Sequence, residues 1–131
     1  MKTKPFRILV VDPDPLTQKG IEELFCQEAI CFVFCDRLAE AISVMKEERF
    51  DCAIVDIQLG EGPREAAPIL KALDPSLPII LTAEKNTRDL EIGAYRQAAF
   101  YYFVKPFGSE ELKLAVLQAL KKSERERTSP R

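Results

Sequence analysis

Four side chains of chemically useful type each close a short apolar run. Asp12 follows Ile8–Val11, Asp56 follows Cys52–Val55, Thr82 follows Ile79–Leu81 and Lys105 follows Phe100–Val104. If the runs are strands of one open parallel sheet, their carboxyl ends share an edge, and residues distant in sequence converge in the crevice where such folds bind ligands. Carboxylates gathered there, Asp12 and Asp56 with Asp14 as a further candidate, repel one another and favour a hard divalent cation with oxygen ligands, Mg²⁺ above all. A carboxylate can also attack a phosphoryl group to give an acyl phosphate, provided positive charge and hydrogen-bond donors hold the transferred oxygens. Asp56 is the natural nucleophile, Lys105 supplies a compact cation and Thr82 a hydroxyl donor. Taken singly, each has a plainer reading: Asp12, Asp14 or Thr82 as a helix cap, and Lys105 as a surface cation.

These residues need a scaffold that sets them on one edge. The apolar runs Ile8–Val11, Cys31–Phe34, Cys52–Val55, Ile79–Leu81 and Phe100–Val104 are nearly unbroken, as strands covered on both faces are. Stretches with apolar residues three and four apart follow them, predicting helices over Leu16–Cys26, Leu38–Lys46, Ala66–Leu73, Thr87–Ala98 and Ser109–Lys122. Strands alternating with helices require crossover connections, so the fold class is α/β, a parallel sheet with helices on both faces. The third helix is expected to begin near Ala66, which puts Pro68 in its first turn. Ser109 is a candidate N-cap for the last helix, ahead of Glu110 and Glu111. Beyond it, residues 123–131 read as a charged tail, either a solvated helix end or a linker, and residues 1–5 as an arm before the domain at 6–122.

The 131 residues, 47% of them hydrophobic, suit one domain with a buried core. With 19 basic and 21 acidic residues the net charge is -2, which offers no broad cationic field for nucleic acid. The apolar run behind Lys2 and Lys4 is too short for a signal peptide or a membrane span, and the expectation is a soluble cytoplasmic protein. Cys26, Cys31, Cys35 and Cys52 form no Cys-x-x-Cys pair. Three of them lie in or beside strand runs, where a reduced thiol packs as a small hydrophobe. Histidine is absent, so the usual general base and a phosphohistidine relay within the chain are both excluded.

The segments Ile8-Leu-Val-Val-Asp12, Ile54-Val-Asp56, Ile80-Leu-Thr82-Ala83 and Tyr102-Phe-Val-Lys105-Pro106-Phe107 together resemble the response-regulator receiver family, from about Phe6 to about Lys122. The resemblance implies a flavodoxin-like sheet of order 2-1-3-4-5 flanked by five helices, with Asp56 as phosphoacceptor and Thr82 and Lys105 on the phosphoryl group. It also implies a Mg²⁺ shell of Asp12, Asp56 and the main-chain carbonyl of Gln58, and a switch pair of Thr82 and Tyr102. Gln58 and Glu84 would fringe the site. The implied role is signalling rather than enzymatic, limited to self-phosphorylation and dephosphorylation. The implied partners are a histidine kinase or phosphotransfer protein and a downstream effector, with no nucleic acid or membrane contacted directly and a homodimer compatible.

Two features depart from that pattern. Pro13 stands where the family usually carries a second acidic residue, a direct metal ligand, and the loop Leu59-Gly60-Glu61-Gly62-Pro63 looks short. One alternative is therefore a degenerate receiver acting as a constitutive protein-interaction domain. A remote alternative comes from Asp12-x-Asp14 after a strand, which also resembles the first motif of haloacid-dehalogenase-type phosphohydrolases.

Overall fold

The computed structural model describes residues 5–57, 66–84, 100–104 and 109–128. Five strands are described: β1 (Phe6–Val11), β2 (Ile30–Cys35), β3 (Cys52–Asp56), β4 (Ile79–Ala83) and β5 (Tyr101–Val104). With them come helices α1 (Pro15–Leu24), α2 (Leu38–Glu47), α3 (Ala66–Leu73) and α4 (Ser109–Thr128). All neighbouring strands run parallel, in the order β2-β1-β3-β4-β5. The expected helix over Thr87–Ala98 lies outside the described residues.

The sheet splits its side chains by the two-residue period of a strand. Leu9, Val11, Ala53, Val55, Ile79 and Leu81 point to one face, where α2 and α3 cover them with Leu38, Ala41, Ala66, Ala67 and Leu70. Ile8, Val10, Cys52, Ile54 and Ile80 point to the other, under Ile21 of α1 and Leu112, Ala115, Val116, Ala119 and Leu120 of α4. Burial on both faces is why the runs read as continuous rather than alternating. Each fully buried aliphatic side chain contributes roughly 1.5–3 kcal/mol, and the central strands β3 and β4 are buried along their whole length.

α1 is started by Asp14, whose Oδ1 accepts from the Leu16 amide at 2.9 Å, with Pro15 in the first turn where its missing N–H costs nothing. α3 is described from Ala66, and the residues before it, 58–65, lie outside the described residues. α4 is described from Ser109 onward; the expected cap at its start borders on residues 105–108, which lie outside the described residues. α4 continues through charged residues to Thr128. Among the described residues no helix is long and apolar enough to cross a membrane.

Candidate functional site

The register of the sheet assembles the site. Val11 pairs with Val55, so Asp12 and Asp56 are the next residues on two adjacent strands. Asp56 pairs directly with Thr82, and Ala83 with Val104, the residue before Lys105. Counting by twos from Val10, Ile54 and Ile80 puts Asp12, Asp56 and Thr82 on one face of the sheet, the face covered by α1 and α4. The strand exits are tied by main-chain bonds: the Ile57 amide donates to Thr82 O at 2.8 Å, and the Asp12 amide to Cys35 O at 2.9 Å. The two acids and the hydroxyl expected to act together are thus neighbours on one edge. Lys105 and Gln58 lie outside the described residues.

Asp56 is buried, with 8% of its surface exposed, and Thr82 is fully buried. Thr82 Oγ1 has no hydrogen-bond partner among the described residues. A buried hydroxyl left unmatched costs roughly 1–3 kcal/mol, so it marks a place where a donor is held ready for something else. Tyr102 has the opposite strand parity; it is half-buried and packs against the cluster beneath α2 and α3. Glu84 is exposed just past β4.

The loop after β1 is organised by its own carboxylates. Asp12 Oδ1 accepts from the Asp14 amide at 2.8 Å, a side-chain turn that spans Pro13, and Asp14 in turn caps α1. Asp14 thus commits one oxygen to the helix. Among the described residues no three acid, thiol or imidazole side chains converge as a metal cage. Two carboxylates on one edge still suit Mg²⁺, which keeps several waters and is commonly held by one or two carboxylates together with phosphate oxygens.

Beside this loop runs an open groove of about 430 Å³ lined by Asp12, Pro13, Asp14, Asp36 and Glu40. Burial, together with Glu40 and Asp36, pushes the Cys35 thiol at its wall up to about 11. Sequence reasoning did not single out Asp36 or Glu40. Asp36 was within reach of it, because it follows β2 as Asp12 follows β1.

The comparisons agree with this geometry. Residues 8–117 match the family model described as Response regulator receiver domain. The chain is 32% identical over 126 residues to the transcriptional regulatory protein GlrR of Escherichia coli (strain K12), covering 94% of this chain but 28% of that one. The signal receiver domain of an HD domain-containing protein from Pseudomonas fluorescens Pf-5 superposes with a TM-score of 0.87 at 23% identity, covering 99% of this chain and 97% of that one. A CheY-like receiver domain protein from Methanospirillum hungatei JF-1 gives 0.80 at 21% identity, over 93% and 98% of the two chains.

Proposed function

Because this chain belongs to the response-regulator receiver domain family of two-component signalling, we propose that Asp56 is its phosphoacceptor. The donor is a phosphohistidine of a kinase or phosphotransfer protein. An Asp56 carboxylate oxygen attacks phosphorus, the P–N bond breaks with its electron pair returning to the donor imidazole, and an acyl phosphate remains on Asp56. The observation that carries the reading is the pairing of buried Asp56 with Thr82, whose hydroxyl is unmatched among the described residues.

Thr82 Oγ–H donates to a peripheral phosphoryl oxygen, and the Lys105 ammonium neutralises another. Asp12 and Asp56, with the Gln58 carbonyl and Asp14 at the edge of the set, would hold Mg²⁺, which when bound would supply positive charge to the transferred oxygens. Engagement of Thr82, coupled to Tyr102 on β5, biases a two-state equilibrium that a downstream effector reads. Gln58 and Glu84 are assigned the role of tuning the lifetime of the acyl phosphate. The setting is the cytoplasm, and the partners are proteins.

A second reading keeps the fold and drops the chemistry, with Pro13 removing a metal ligand and leaving a constitutive interaction domain. It is favoured by Pro13, whose side chain has no oxygen to offer a cation beside Asp12. Incubation with acetyl phosphate and Mg²⁺ followed by intact-mass measurement separates the two. Wild-type protein gains one phosphoryl group, whereas Asp56→Asn gains none; wild-type protein that stays unmodified favours the second reading.

A further inference from the structure

Asp51 is a buried carboxylate, 4% exposed, at the pole of the sheet opposite Asp56, and the phosphotransfer chemistry does not use it. One oxygen, Oδ2, accepts from the Arg7 amide of β1 at 2.9 Å, while the Asp51 amide donates back to Arg7 O at 2.8 Å. The other, Oδ1, accepts from the Ser123 hydroxyl of α4 at 2.7 Å. Arg7 extends the cluster outward, pairing with Glu48 at 2.7 Å and lying over the Phe50 ring. One side chain thus joins the beginnings of β1 and β3 to the far end of the last helix.

Two different forces hold α4. Up to Leu120 it is seated by Leu112, Ala115, Val116, Ala119 and Leu120, all buried against the sheet. The following eight residues, Lys121–Thr128, about two turns, contain no apolar side chain and cannot be held by burial. Within this segment, the Ser123–Asp51 hydrogen bond makes a direct tie to the sheet. Lys121 and Glu124 of this segment also wall a groove of about 410 Å³ with Phe6, Ile30 and Leu117.

We propose that Lys121–Thr128 is a strap clasped to the sheet by the Ser123–Asp51 hydrogen bond, able to open while Leu112–Leu120 stays seated. Opening removes one wall of the groove beside Phe6 and Ile30. A hydrogen bond to a charged acceptor is strong enough to set the balance between clasped and open forms, and weak enough to let the segment open without unfolding the domain.

Amide hydrogen exchange on the full chain tests this, comparing wild type with Ser123→Ala and Ser123→Thr. Loss of the hydroxyl is expected to speed exchange over residues 121–128 by roughly tenfold or more, with 112–120 unaltered, and threonine should restore protection. Unchanged exchange in Ser123→Ala overturns the clasp. Acceleration spread evenly over 112–128 overturns the strap, because the helix would then open as one unit. A Ser123→Thr variant as fast as Ser123→Ala removes the hydroxyl from the account.

Discussion

Thr82 stands directly across the β3–β4 pair from Asp56, its side chain wholly buried and its hydroxyl unmatched among the described residues. Replacing it with isosteric valine removes an unsatisfied polar atom and keeps the volume. Thr82→Val is therefore expected to raise stability by about 1 kcal/mol in urea denaturation, while lowering phosphoryl uptake from acetyl phosphate. A variant that is destabilised instead would mean that the hydroxyl already has a partner in the folded protein.

The buried thiols set an alkaline limit. Burial, with Asp51 nearby, pushes Cys52 up to about 12, and burial with Glu40 and Asp36 pushes Cys35 up to about 11, from an ordinary value of 9.0. Folded protein holds these protons where unfolded protein releases them, so stability is complete below pH 9 and falls as pH rises toward 11 and 12. Replacing Cys35 or Cys52 with alanine should flatten this slope in denaturation curves taken across that range. In thiol labelling near pH 8, exposed Cys26 should react while Cys35 and Cys52 wait for unfolding.

Asp14 offers a way to separate a cap from a ligand. Asp14→Ala should cost about 1 kcal/mol by exposing the first turn of α1, whereas Asp14→Asn keeps the acceptor and should cost only a few tenths. With Oδ1 held by the Leu16 amide, Asp14→Asn is expected to leave Mg²⁺ affinity unchanged in calorimetric titration. A marked loss would move Asp14 into the metal shell.

Much of this arrangement is legible before any coordinates. Strand burial on both faces leaves unbroken apolar runs, and a parallel sheet then forces Asp12, Asp56 and Thr82 to one edge. Their common face follows from counting by twos. Hydrogen-bond competition within a loop is less legible: whether Asp14 caps α1 or faces a metal depends on local backbone angles that Pro13 and Pro15 set. Asp51 was illegible for another reason. Its partners Arg7 and Ser123 are 44 and 72 residues away, and a lone carboxylate ahead of an apolar run looks like any solvated turn residue.

Pro13 withholds a side-chain oxygen from the loop where Asp12 turns. Pro13→Asp should strengthen Mg²⁺ binding by roughly tenfold, since affinity follows the number of charged ligands. Binding equal to wild type would place residue 13 outside the coordination sphere.

The most direct test is to find the atom that carries the phosphoryl group. Protein treated with acetyl phosphate and Mg²⁺, then reduced with borohydride, converts an aspartyl phosphate to homoserine, which peptide mass mapping locates. The account predicts homoserine at position 56 alone, and at reduced yield in Asp12→Ala. Homoserine at position 12 or 14, or at none of these positions, contradicts it.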